Sequence, residues 1–508
     1  MKKLIALCII IFIHAGIADA DIRLPAVFSD DMILQRGMKV PIWGWADPGE
    51  KITTELGGHF AEILTGMDGK WKLYLGPLDA GGPFQLKISG KNVVTISNVL
   101  VGEIWICSGQ SNMAMEVRSC LNAEKEISSA NYPQIRHFQV KRAKAAQPME
   151  DVAPVQDSSG SWLNKWEVTD PSNVDHYTGV GYFFIREIYT KLHVPVGIIS
   201  VSWGGTTAEA WTPKDTLEND PELQLILKNW PDYNNDEAWL IKEYATFLEE
   251  VKEAKKKGEE EPLYFNQPSV LYNGIIAPVV PFAMRGVIWY QGESNAFRSY
   301  QYSSLFPAMI EQWRKKWGQG SFPFLFVQLA NFYFEPQVFT ELREAQTMAL
   351  SLPNTAMAVA IDIGDSSNIH PKNKQEVGRR LSLAARKLTY GEDVIYSGPM
   401  YKSMLVKGGK CLLSFEHSGD GLAAKETGRL EGFVIAGTDR NFVKANAMIH
   451  GDKIIVWNEQ VPHPVAVRYA WANHPGGINL YNKSGELINL PASPFRTDDW
   501  PGITVGRK

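Results

Sequence analysis

Four short stretches of the 508-residue sequence carry side chains suited to acyl chemistry. The first is Trp105-Ile-Cys-Ser-Gly-Gln-Ser-Asn-Met, where an apolar run ends on Gly109 and Ser111 follows two residues later. Glycine accepts the tight turn that an exposed nucleophile needs. A serine at a strand-to-helix turn is either a nucleophile, with backbone N–H groups nearby to steady developing negative charge, or the N-cap of the helix; the two roles are compatible. The stretch is not Gly-x-Ser-x-Gly, so the common α/β-hydrolase elbow is absent. The second, Ile199-Ser-Val-Ser-Trp-Gly-Gly, ends a strand on Gly204 and Gly205. Their N–H groups can approach a substrate oxygen unobstructed, or simply make a turn. The third, Val287-Ile-Trp-Tyr-Gln-Gly-Glu-Ser-Asn, delivers Gln291, Glu293 and Asn295 to a strand end. These are amide donors with a carboxylate orienter, or a loop network. The fourth, Ile361-Asp-Ile-Gly-Asp-Ser-Ser-Asn-Ile-His-Pro, sets His370 after a strand with Asp362 and Asp365 close by, a fit setting for a general base. Trp203, Trp211, Trp289 and Tyr290 flank these stretches, to stack on a sugar ring or to pack the core.

The elements that must position these groups read as α/β. Strand-like runs at Val101–Ile106, Val194–Val201, Gly286–Tyr290, Pro323–Leu329 and Ala356–Ile361 alternate with amphipathic runs at Tyr182–Leu192, Leu305–Trp317, Leu342–Leu350 and Lys374–Leu388. Such alternation predicts a parallel sheet flanked by helices, with ligands at the carboxyl ends of the strands. Residues 21–100 are short apolar stretches cut by turn residues and predict a β-sandwich-like unit; residues 397–508 predict a second β-rich unit. The catalytic α/β unit is expected over 101–396, interrupted at 213–262 by a polar, helix-prone insertion read as a solvated excursion with i,i+4 ion pairs, or as a partner-binding arm.

Composition narrows the function classes. With 51 basic and 56 acidic residues and no long Lys/Arg run, nucleic acid is an improbable partner. Residues 1–20 read as a cleaved signal peptide: Lys2-Lys3, an apolar Leu4–Ile13 and a small-x-small Ala18-Asp-Ala. That run is too short for a bilayer core of about 30 Å, and Leu7 before Cys8 departs from a lipoprotein signal, so an exported protein without membrane anchor is expected, periplasmic or extracellular. The remaining Cys107, Cys120 and Cys411 allow at most one internal pair, Cys107–Cys120 being the shortest link. No Cys-x-x-Cys, His-Glu-x-x-His or clustered Asp loop is present, so neither metal nor cofactor is expected.

Together the four stretches resemble the SGNH hydrolases, and within them the sialate O-acetylesterase-like carbohydrate acetylesterases. The motifs are Gly109-Gln-Ser-Asn-Met, Trp203-Gly-Gly-Thr, Trp289-Tyr-Gln-Gly-Glu-Ser-Asn and Ile369-His-Pro, joined by Asp31-Met-Ile-Leu-Gln-Arg and Pro41-Ile-Trp-Gly-Trp near the start. The resemblance implies a serine esterase acting on O-acetylated carbohydrate, with Ser111 as nucleophile, His370 as general base, and the Ser111 N–H and Gly204 in the oxyanion hole. Two departures follow. Asn295 stands one step later than the family's usual third donor, so Asn295 or Gln291 is expected there. Ser367 occupies the position three before the histidine where an aspartate is usual; Asp365 is expected to orient His370, with Glu293 as rival and an unaided Ser–His pair as the third option. A sialate site needs a cation for the sugar carboxylate, and Arg118 is a candidate. Plant polysaccharide esterase and non-catalytic carbohydrate-binding protein are the alternatives. Oligomeric state is not legible.

Overall fold

The computed structural model describes residues 21–155, 161–235, 238–426 and 428–507. The expected leader, residues 1–20, lies outside the described residues. The spine of the fold is one long strand, β1 (Val93–Gly109). Its first third is largely exposed, with Val94 half-buried and Ile96 buried, and from Val99 onward every residue is buried. This is the signature of a strand that leaves a one-sided sheet and enters one covered on both faces. The other strands of the central sheet are β2 (Tyr132–Gln139), β3 (Trp166–Thr169), β4 (Val196–Ser202), β5 (Gly286–Tyr290), β6 (Phe324–Gln328) and β7 (Thr355–Val359). They lie in the order β7-β6-β5-β1-β4-β2-β3, parallel except for β3. Because β1 has β4 on one side and β5 on the other, the chain reverses its winding at β1. The crevice at such a reversal is where an open α/β sheet binds ligands.

The helices are α1 (Gly179–Leu192), α2 (Ala238–Lys257), α3 (Ser299–Trp317), α4 (Phe339–Met348) and α5 (Lys374–Leu388). α1 packs on α5 and α3 on α4, and the sheet is flanked by these pairs. Helix α5 shows the local reason: Val377, Leu381, Ala384 and Ala385 recur at helical spacing and are buried, while the Asn373 side chain caps the start by accepting from the Glu376 N–H at 3.2 Å. α1 is capped likewise by Thr178 and stops at His193 in the left-handed conformation.

The N-terminal strands join the same sheet. Gly81–Ser89 runs antiparallel to the first part of β1, Lys51–Leu56 pairs with Gly81–Ser89, and Val40–Trp45 forms a separate pair with Lys70–Leu75. The expected division at residue 101 thus falls inside β1. Beyond α5 come small antiparallel sheets built from Met400–Lys407, Lys410–Glu416, Phe433–Ala436 and Lys453–Trp457, among others. The 213–262 stretch contains Lys214–Asn219, Gln224–Asn229 and α2, with an exposed Lys214–Glu218 pair at the expected i,i+4 spacing and further surface pairs, Lys252–Glu249 and Lys256–Glu253, at i,i+3.

The one internal pair the sequence allowed at shortest range, Cys107–Cys120, does not form: all three described cysteines are free and buried. Cys107 lies 2.9 Å from Met113 Sδ and 3.7 Å from Thr178 Oγ1, whereas the Cys120 thiol turns to the Glu116 carbonyl at 3.3 Å. Burial pushes both thiols up to about 12, which makes them inert rather than reactive.

Candidate active site

At the end of β1 the backbone turns through Gly109 at φ +135°, where a Cβ would stand 2.2 Å from the Tyr290 carbonyl oxygen. Only glycine fits, and the close approach lets the Gln110 N–H donate to that carbonyl at 3.0 Å. The short helix Ser111–Ala114 follows with Gln110, not Ser111, at its N-cap. The hydroxyl of Ser111 is therefore not spent on capping. It lies 2.8 Å from His370 Nε2. Among the described residues neither the Ser111 nor the Gly204 N–H donates to a protein acceptor, and a Cβ on Gly204 would stand 3.2 Å from Ser111 Cβ. Gln110 is buried, and its Oε1 is pinned by the Gly292 and Ser294 N–H groups at 3.2 and 3.4 Å; its amide nitrogen keeps no protein acceptor and the residue lines the pocket.

His370 is half-buried, and its pKa is lowered by burial first and by the neighbouring Lys374 ammonium second. Among the described residues no carboxylate contacts the imidazole. Asp365 is exposed, and its carboxylate turns back to accept from the Ser367 N–H at 2.9 Å and hydroxyl at 2.7 Å, so the expected orienting contact is not made. An aspartate two residues from an open N–H satisfies itself locally. Asp362 is held by Arg380 and Tyr481. Glu293 does not reach the imidazole either. Its Oε1 accepts from Asn112 Nδ2 at 2.6 Å, its Oε2 is buried without a partner, and burial raises its pKa. The histidine loop is fixed through its backbone: the His370 N–H donates to Asn368 Oδ1 at 2.9 Å, and the Ile369 carbonyl accepts from Asn112 at 3.0 Å.

The expected third oxyanion donors sit elsewhere. Gln291 and Asn295 are buried and spend their amides on each other and on the scaffold. Gln291 Nε2 donates to Asn295 Oδ1 at 2.7 Å, and Asn295 Nδ2 to Glu209 at 2.8 Å. Trp289 is fully buried beside Trp211, Trp313 and Phe324, which is core packing, as are Trp211 and Tyr290. Arg118 pairs with Glu116 and Asp175 and does not line the pocket. Trp203 does line it, with Phe265 stacked at 6.2 Å; Arg142 lies beyond, its Cζ 5.8 Å from the Trp203 ring.

The cavity holds about 740 Å³. Ser111, Gly204 and His370 sit with Gln110 and Glu293 among its lining, while Trp203, Phe265, Phe332, Phe334 and Phe339 supply aromatic walls. Glu243 of α2 completes one side, so the insertion takes part in the pocket, a role the sequence reading omitted. Gln110, Asn112 and Lys374 were also missed. The first two flank Ser111 inside its own motif, and Lys374 stands four residues after His370. A serine hydroxyl against an imidazole, at a strand-end crevice with open N–H donors, is equipped for acyl transfer.

Residues 101–387 match the family model described as carbohydrate esterase, sialic acid-specific acetylesterase. Among curated proteins, the sialate O-acetylesterase of Mus musculus is 30% identical, with 93% of this chain and 94% of the relative aligned. That of Homo sapiens is 29% identical, with 94% of each covered. A solved carbohydrate acetylesterase from Xanthomonas citri is 36% identical at a TM-score of 0.80, covering 94% of this chain and 100% of that one. With the family model spanning more than half of the sequence and the relatives nearly all of it, the chain belongs to the sialic acid-specific acetylesterase family of carbohydrate esterases and is a carboxylic ester hydrolase.

Proposed function

We propose that the protein is an exported serine esterase that removes O-acetyl groups from sialate-type sugars through a Ser111–His370 pair, with 101–396 as catalytic unit between the flanking β units. The observation that carries this reading is the 2.8 Å approach of Ser111 Oγ to His370 Nε2 on an aromatic pocket. Neutral His370 takes the hydroxyl proton as Ser111 Oγ attacks the acetyl carbonyl carbon. The resulting oxyanion is received by the Ser111 and Gly204 N–H groups, with Gln110 Nε2 as third donor. His370 returns the proton to the departing sugar oxygen, then takes one from the water that attacks the acetyl-serine and passes it to Ser111 Oγ as acetate leaves. Export is supported by the leader-like residues 1–20, and no helix among the described residues is long and apolar enough to cross a membrane.

One observation favours a second reading, a neutral acetylated plant polysaccharide such as xylan or xyloglucan. The charged side chains lining the pocket include Glu243 and Glu293 but no Lys or Arg. Acetate release from acetylated sialic acid, acetylated xylan and an aryl acetate, with Ser111→Ala alongside, tests both. Release that disappears in the variant supports the serine mechanism, and the preferred substrate decides between the sugars. Undiminished release from Ser111→Ala overturns the mechanism, and no release from any substrate by the native protein returns the chain to a binding role.

A further inference from the structure

Beside the nucleophile loop lies a buried cation that the mechanism does not use. Lys374 is fully buried at the first position of α5. Both circumstances disfavour it: burial strips an ammonium of water, and the start of a helix is its positive end. Among the described residues no carboxylate touches it. Its Nζ donates to Asn112 Oδ1 at 2.6 Å and lies 5.2 Å from the Tyr290 ring centroid. Asn112, itself buried next to Ser111, uses both ends of its amide: Oδ1 accepts from Lys374 while Nδ2 donates to Glu293 and to the Ile369 carbonyl. An ammonium only donates, so the amide orientation is fixed.

We propose that Asn112 is a positioning residue, clamped between Lys374 and Glu293, that ties the His370 loop to the nucleophile where a triad would place a carboxylate on the histidine. The proposal rests on the Ser–His reading above. The bond to Ile369, one residue before His370, sets the imidazole against Ser111 through the backbone. Lys374 adds a positive charge that disfavours the imidazolium, keeping the histidine in its base form. The titratable groups around Lys374 are Glu293, Cys120, Tyr290 and His370. Burial holds the thiol and the phenol neutral, and brings the lysine itself down to about 8.

The experiment uses the mature full-length protein, an aryl acetate, and kcat and KM between pH 4 and 9. Asn112→Ala is expected to lower kcat by about tenfold to a hundredfold with KM changed less than about twofold. Lys374→Gln keeps a donor but drops the charge, so the acidic limb of the rate profile should move up by about half a pH unit to one unit, and Lys374→Arg should restore it. Wild-type kcat in Asn112→Ala, or an unmoved acidic limb in Lys374→Gln, overturns the proposal. If melting shows that Asn112→Ala does not fold, the two lysine variants decide alone. Inactive Ser111→Ala beside normal Asn112 and Lys374 variants would sink this inference only, whereas active Ser111→Ala would sink the Ser–His reading.

Discussion

A histidine with no carboxylate behind it must draw its aim and its basicity from other neighbours. At His370 the aim comes from backbone bonds to Asn368 and Asn112, and the basicity is trimmed by burial and by Lys374. A lowered pKa means the neutral form, the base in the proposed mechanism, survives to lower pH. The acidic limb of kcat/KM is therefore expected below the ordinary histidine value of about 6.5, and a pH–rate profile with a midpoint above 7 would contradict it. Gly204 faces Ser111 so closely that a methyl there must push on the Ser111 side chain. Gly204→Ala should cost about a hundredfold in kcat, read in a steady-state assay, with the melting temperature nearly unchanged. That Ser111 closely follows a strand was legible from its motif, and its approach to His370 is a finding of the structure. Asp365 misled because closeness in sequence to His370 counted for less than its own two-residue bond to Ser367.

The parallel strands were legible as near-continuous apolar runs, and Gly286–Tyr290 appears at the bounds the sequence implied. β2 and β3 were not, since Tyr132-Pro-Gln-Ile-Arg-His buries Arg136 and His137 where a strand pattern would ask for apolar residues. The insertion misled in the other direction. Its helix α2 is mostly exposed, yet Tyr244 and Phe247 rest on Tyr264, which packs on Phe265 behind Trp203. Two aromatic residues three apart are too faint a signal in a charged helix to announce a pocket wall. Glu243→Ala is expected to raise KM for an acetylated polysaccharide several-fold while leaving aryl acetate kinetics unchanged, because the small ester does not reach that wall. Equal effects on both substrates would argue for a structural role.

Across the whole molecule the C-terminal sheets hold the pocket from behind. Arg343 of α4 is fully buried and donates to the carbonyls of Leu329 and Ala330 after β6 and of Ala472 and Asn473 from the C-terminal part, at 2.7 to 2.9 Å. Asn473 in turn accepts from the Phe339 N–H and donates to the Phe334 carbonyl, fixing two of the aromatic walls. Arg343→Met would strip the Leu329, Ala330 and Ala472 carbonyls of this donor, the Asn473 carbonyl keeping the Phe332 N–H, and should cost roughly 3 kcal/mol or more, measured by denaturant unfolding. A loss under about 1 kcal/mol would show that water replaces the guanidinium there.

Strand β1 belongs to two sheets' worth of partners at once, antiparallel neighbours first and parallel ones after. Mechanically, the N-terminal module is not a bead on a string. A load applied at residue 21 runs through that module into one unbroken strand and arrives at Gly109, two residues from Ser111. Tethering the enzyme to a surface by its N-terminus would strain the turn that carries Ser111, and a front module grafted from another protein would have to match the register of the strand that carries it.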